Sequence, residues 1–371
     1  MKFSINKKNL YNSLIEHNKV VPLRTTLPIL SCVVLIVKKE SLTLKSSDLE
    51  QTIISNQKIK TEKEGSVALP ISKLLEIVSV LKDETIKFSC NEDFLVEINS
   101  NQGVYKITGK TSEDFPETPS PQVKQSVKIN GGDFINIIDK TGYASSKDDL
   151  KPALCGVYFN FKDNKITAVA TDGHKLVKHE QEVSEKTTTP LSIVLPLKFL
   201  NIVKTITENK EDVVVKIGEN HAQTEQKNFT LITRTIKEAF PDFNSVIPDN
   251  NKTVAEVNTQ EIVDCLKRVS IFSNKTTKQT ILSFSTKGVM LSAQDIETST
   301  SAKEHLDCVF TGDEITTSYN AKYLIEVVQH LGGKETNIYL NSALTAAVFQ
   351  TKENKEKEKT TSLLMPIRIN Q

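Results

Sequence analysis

The feature that most constrains this chain is an internal repeat with a period of roughly 125 residues, far beyond the periods of solenoids. A strand-like segment followed by a short amphipathic stretch recurs near Phe3, Val127 and Val254. The amphipathic stretches place apolar residues at helical spacing: Leu10 and Leu14, then Phe134, Ile137 and Ile138, then Ile262, Val263 and Leu266. Asn6 and Thr259 are the expected N-caps. Pairs of strand-like segments follow at 32–37 and 42–45, at 157–161 and 165–169, and at 281–285 and 289–293.

The second member of each pair ends alike, as LTLKSSD (42–48), ITAVATD (166–172) and VMLSAQD (289–295), with an aspartate at the same offset. A second helical stretch then reads KLLEIV (73–78), KFLNIV (198–203) and KYLIEV (322–327). Two units also share DFP (114–116) and AFP (239–241). The common order predicts three homologous domains, at 1–125, 126–250 and 251–371. Short alternating strands at 86–90, 94–98 and 104–108, joined by polar turns, predict antiparallel sheet. With only two helices per unit, the fold class expected is α+β, both helices on one side of the sheets. Residues 351–361 read as a solvated loop between the last two strands.

A length of 371 residues fits two or three domains. The longest apolar run, 32–37, is far short of the roughly 20 residues that span a bilayer. Residues 1–8 lack the apolar stretch of a signal peptide. Five scattered cysteines (32, 90, 155, 265 and 308) with no CxxC pair suit free thiols in a reducing compartment, so a cytoplasmic protein is expected. A net charge of +1 gives no whole-molecule attraction to nucleic acid. Only four of 47 basic residues are arginine: Arg24, Arg234, Arg268 and Arg368.

Catalytic chemistry finds little support. Asp172 and His174 invite an acid–base or metal reading, yet Asp48 and Asp295 hold equivalent turns without a histidine. A turn-forming aspartate explains all three. Metal-ligand spacings, phosphate loops and nucleophile elbows are missing from the sequence, and Gly131-Gly132 and Gly332-Gly333 read as turns. Neither a metal nor a cofactor is expected. The recurring lysines are a better lead. Lys73, Lys198 and Lys322 sit near helix starts, where the helix dipole disfavours a cation. The first helices add Lys7, Lys8, Lys140, Lys267 and Arg268. Helices facing one way would gather these charges into a surface that holds phosphates loosely and reads no bases.

The motifs MKF (1–3), RTTLPIL (24–30), SDLE (47–50), ATDGH (170–174), FPD (240–242) and MPIR (365–368) resemble the bacterial DNA polymerase III β subunit family, the sliding clamps. The likeness covers essentially the whole chain. It implies a head-to-tail homodimeric ring of six similar domains around duplex DNA, without catalysis. Implied partners are the polymerase III α subunit, the clamp-loader δ subunit and other polymerases and repair proteins, docked through short apolar motifs, and no membrane.

On this resemblance Arg24, Lys73 and Lys198 match DNA-facing positions. The loop 145–153 departs from the family pattern at Asp148, Pro152 and Ala153, leaving Lys147 and Lys151 to substitute. A peptide cleft is implied at Leu154, Thr171, Gly173, His174, Lys175 and Leu176, with Pro241 and Val246. It continues through Asn320, Tyr323, Leu344 and Ala346 to Leu363, Met365, Pro366, Ile367 and Arg368. Taken singly, Val246 and Leu344 read as core residues. Lys175 and Ser245 stand where the family commonly has arginine, and three residues follow Arg368. Tyr105 and Ile107 match one dimer face, read as exposed apolar residues on an edge strand; Ile271 and Phe272 match the other. Two other classes compete: a hydrolase built on Asp172 and His174, and a three-domain adhesive or carbohydrate-binding protein.

Overall fold

The structure, a computed structural model, describes residues 1–248, 251–353 and 356–368, without the side chains of 185–189. Six α-helices occur among the described residues: α1 (Lys7–Val20), α2 (Ile71–Val80), α3 (Gly131–Thr141), α4 (Leu197–Ile206), α5 (Thr259–Val269) and α6 (Ala321–Leu331). Each repeat runs strand, helix, strands, helix, strands, and every ladder is antiparallel.

Asparagine starts the first helix of each repeat. Asn6 Oδ1 accepts the Lys8 and Asn9 amides, Asn130 Oδ1 those of Gly132 and Asp133, and Asn258 Oδ1 those of Gln260 and Glu261. The cap of α5 is therefore Asn258 and not Thr259, which is the first helical residue. Satisfying two otherwise orphaned amides is worth about 1 kcal/mol per helix.

In the first repeat both helices bury one face in a single core. Leu10 and Leu14 of α1 and Ile71, Leu74 and Val78 of α2 meet Phe3, Leu35, Leu44, Phe88 and Ile98 from the strands. The opposite face of the strand Cys32–Lys38 turns Cys32 and Val34 toward Phe115, so the DFP segment covers the side without helices. The third repeat repeats this plan, with Leu266 and Val269 of α5 and Leu324 and Val327 of α6 packed on Phe284, Leu291 and Phe349.

Strand pairing crosses the repeats. Phe229–Arg234 of the second pairs with Gln51–Lys58 of the first, Leu231 opposite Ile53, and completes an eight-stranded sheet. Lys175–Pro196 of the second pairs with Glu358–Leu364 of the third, in a seven-stranded sheet. The chain accordingly packs as two compact units, Met1–Ile135 with Lys198–Thr235, and Asn136–Leu197 with Ile236–Gln371. Pairing of this kind covers strand edges that would otherwise stand open.

Three details differ from the sequence reading. Residues 157–161 and 165–169 are one strand, Gly156–Thr171, whose ladder shifts register around Asp163 at φ 53°. The opening strand of the second repeat, Val123–Asn130, begins before the expected 125/126 boundary, and residue 250 of the second boundary lies outside the described residues. The closing strands reach Thr351 and start again at Glu358, so the loop is shorter than 351–361; its residues 354–355 lie outside the described residues.

Candidate functional site

The turn at 172–175 is built by its aspartate. Asp172 Oδ1 accepts the His174 and Lys175 amides, both at 2.9 Å, while Oδ2 accepts Lys175 Nζ at 2.9 Å. Asp48 repeats the turn with the Glu50 and Gln51 amides, and Asp295 with that of Glu297. Both oxygens of Asp172 thus have partners other than the His174 ring, which stacks on Tyr323 at 5.9 Å.

Lys175 is nearly buried yet charged. Its ammonium lies 2.9 Å from Asp172, 3.1 Å from Glu326 and 4.4 Å above the Tyr323 ring. Burial disfavours the charge, but hydrogen bonds and charge from Asp172 and Glu326 outweigh that and hold the pKa above that of an ordinary lysine.

Beside this turn opens a cleft of about 210 Å³. Leu154, Thr171, Gly173, His174, Lys175 and Leu176 line it, with Pro241, Val246, Ala346, Leu363 and Met365. Under it Leu176, Ala346 and Leu363 pack with Val169 and Val348 in a small core flanked by Tyr158, Phe240 and Phe243. Tyr158 stacks on Phe240 at 5.3 Å, which fixes the FPD segment as a wall. Val246 and Leu344 are exposed at 53% and 66%, and Met365 at 48%; the first two are therefore rim and loop residues and not core. Such a floor and rim suit apolar side chains of a peptide, adaptable where methionine lines it.

Six expected cleft residues do not line this cavity. Tyr323 lies beyond His174, in an adjoining cavity of about 620 Å³ that Lys147 and Lys151 also border. Asn320 caps α6 through the Lys322 and Tyr323 amides. Leu344 sits on an exposed loop. The Ile367 amide donates to Ser318 O at 2.7 Å and Gln279 Nε2 to Arg368 O at 3.1 Å, so the segment around Pro366, Ile367 and Arg368 is tied to the adjacent sheet. Asp242 and Phe243, in contrast, line the cleft without having been expected. Their signal was the spacing of Phe243 three residues after Phe240.

The expected DNA-facing cations differ in their freedom. Arg24 is exposed between exposed Leu23 and Leu27, without an ion pair among the described residues. Lys73 pairs with Glu76 at 2.9 Å, both well exposed, a bond worth little in water. Lys198 is bound at 2.5 Å to Asp48, whose side chain is only 11% exposed. Lys147 and Lys151 are exposed. Lys140 does not fit a phosphate-facing role, because Nζ donates to the His330 and Leu331 carbonyls and caps the end of α6. Arg268 is held by both oxygens of Glu304.

The expected dimer residues also divide. Val104–Thr108 is an edge strand of the five-stranded sheet, but Ile107 points inward, 5% exposed in the first-repeat core with Tyr105 packed beside it. The alternation of the strand instead presents Val104 outward, at 56%. Ile271 and Phe272 are exposed at 76% and 37%, on one turn after α5.

The three domain patterns of the DNA polymerase III beta subunit match in order, the N-terminal domain at 1–119, the central domain at 128–242 and the C-terminal domain at 244–368. The chain belongs to the DNA polymerase III β-subunit family. It is 25% identical to the beta sliding clamp of Vibrio cholerae over 370 residues, covering 100% of both chains. With the beta sliding clamp of Haemophilus influenzae it shares 26% over 375 residues, again 100% of each. Among solved structures, the DNA polymerase sliding clamp of Bacillus subtilis superposes with a TM-score of 0.95 at 24% identity over 100% of both chains. A Pseudomonas aeruginosa sliding clamp bound to griselimycin gives 0.94 at 23%, also over 100% of both. These superpositions establish a sliding-clamp fold, three clamp domains of mixed helix and sheet. Among the described residues no group of three or more metal-ligating side chains occurs, and no helix is long and apolar enough to cross a membrane.

Proposed function

We propose that this chain is a processivity clamp: two copies close head to tail into a ring around duplex DNA and tether a replicative polymerase. The role is accessory and non-catalytic. The observation that carries it is the apolar cleft, assembled by eleven of the seventeen positions expected of a clamp's peptide site. Short apolar motifs of the polymerase III α subunit, the clamp-loader δ subunit and other replication and repair proteins are its proposed ligands, and the cytoplasm its compartment. Domain limits near 125/126 and 250/251 belong to the same reading.

Enclosure explains the weakness of the expected DNA contacts. Lysines make strongly hydrated, sequence-blind phosphate contacts. A chain with net charge +1 adds little general attraction. A ring retains DNA by topology, so low affinity permits sliding. Arg24, Lys73, Lys147, Lys151 and Lys198 are proposed as the contacts. Ring closure is proposed to use the edge strand that carries Tyr105 and the turn at Ile271 and Phe272; heterologous contacts that close after two subunits give a ring and no filament.

Retention on nicked circular plasmid tests this. Protein placed there by a bacterial clamp loader with ATP is expected to co-elute with the DNA in gel filtration and to leave when the plasmid is linearised. Equal retention on linear DNA identifies an ordinary binder and overturns the ring.

A further inference from the structure

We propose that the sheet face beyond the apolar cleft selects an acidic residue flanking the apolar motif of the partner peptide. The proposal rests on the cleft reading and specifies its ligand further. Along Lys175–Pro196, Leu176 lines the cleft, and Lys178 and Glu180 follow at intervals of two, which the pleat keeps on one face. The facing strand pairs Leu363 with Leu176, Thr361 with Lys178 and Lys359 with Glu180. One strand further, Gln350 Nε2 donates to Thr361 Oγ1 at 2.9 Å. The face thus passes from a leucine row to a polar row and then a charged row, in steps of about 7 Å.

A groove of about 500 Å³ opens over the two outer rows. Ile247, which borders it, directly follows the cleft residue Val246, so the two cavities adjoin along one wall, and the peptide of this proposal extends from one to the other. Charge decides what the groove takes. The Glu180 carboxylate lies 3.0 Å from Lys165 Nζ and 3.6 Å from Lys178 Nζ, so two ammoniums share one acid. Burial favours a neutral Glu180, yet these lysines and Lys359 hold its pKa below the usual value. Lys359 is exposed and has no ion pair among the described residues. Glu182, next on the same face, ends the cationic stretch. A carboxylate reaching Lys178 and Lys359 gains charge-assisted hydrogen bonds, whereas a lysine there meets like charge.

The test is fluorescence anisotropy with three labelled peptides that share adjacent leucines and carry Asp, Asn or Lys on both flanks. The Asp peptide is expected to bind about five-fold tighter than the Asn peptide, and the Lys peptide more weakly than either. The double variant Lys178→Ala, Lys359→Ala should bind the Asn peptide as the wild type does and lose the preference, which also shows that it folds. Equal binding of the Asp and Asn peptides by the wild type overturns the acidic extension and leaves the cleft intact. A preference that survives in the double variant overturns the assignment to these lysines. Binding of none of the peptides overturns the cleft reading, and this proposal with it.

Discussion

The turns at Asp48 and Asp172 are copies of one device in successive repeats, and each satisfies its spare carboxylate oxygen in a different way. At the first, Gln51 occupies the position that Lys175 holds at the second, and both are nearly buried. Behind the first turn lies His17, fully buried between Ser46 Oγ at 3.0 Å and Ser55 Oγ at 2.9 Å. The spare oxygen of Asp48 takes Lys198, the lysine near the start of α4, whereas that of Asp172 takes Lys175. Lys322, at the matching place in α6, is therefore not needed by its turn. A lysine taken from a distant helix at one copy, and one held within the turn itself at the other, show how a duplicated scaffold keeps its backbone hydrogen bonds and reassigns its side chains. The second copy lines the apolar cleft.

The largest expected effect separates the two surrounds by pH. Burial lowers the His17 pKa from 6.5 to about 3. Because the folded value lies below the unfolded one, the unfolded chain binds the extra proton, and stability is full above pH 6.5 and lost as pH falls toward 3. The shift corresponds to roughly 5 kcal/mol in full, and about 2–3 kcal/mol by pH 4.5. Lys175 has the opposite sign. Its raised folded pKa contributes stability at neutral pH that disappears only above the ordinary lysine range. Thermal melts of wild type and His17→Asn across pH 4–10 check this; an acid limb equally steep in both removes His17 from the account.

Next in size is the cleft. Val246→Asp with Met365→Asp places carboxylates on two half-exposed rim residues. A charge facing an apolar ligand should cost about 100-fold in binding of a leucine-bearing peptide, with the melting temperature unchanged. Leu49→Asp, at the first turn and likewise half exposed, should leave peptide binding as it was. Loss of binding in both variants would mean that the two turns do not differ in this function.

Legibility followed the same division. The repeats and both helices of each could be read because they rest on local periodicity, whereas the cleft positions were implied only by the family resemblance, carried by short motifs adjacent in sequence. The three capping asparagines were equally local. Asn6 was read, while Asn130 and Asn258 in the same position before their helices were passed over. What stayed hidden depends on distant pairing. Ile107 faces inward because of the register of its strand with Leu95–Asn99, Val96 opposite it, and alternation alone does not say which face is the core. Lys140 looked like a surface cation until the end of α6, some 190 residues away, appeared beside it. The sheets shared between repeats were hidden too, since each strand alone shows an ordinary edge.

The smallest effect concerns the lysine that the first turn holds. Asp48→Asn keeps the Oδ1 acceptor of the turn and removes the charge that binds Lys198. An ion pair of this exposure is worth about 0.2–1 kcal/mol. Freed, Lys198 should raise affinity for a random duplex about two- to five-fold in low salt. One further phosphate contact should also steepen the fall of log K with log salt by about 0.9. Asp172→Asn removes a partner of the buried Lys175 and does not release it to solvent, because Glu326 remains, so it should leave the salt slope unchanged. If both variants steepen the slope alike, the gain is general charge and not a lysine set free, and the contrast between the two turns does not extend to DNA.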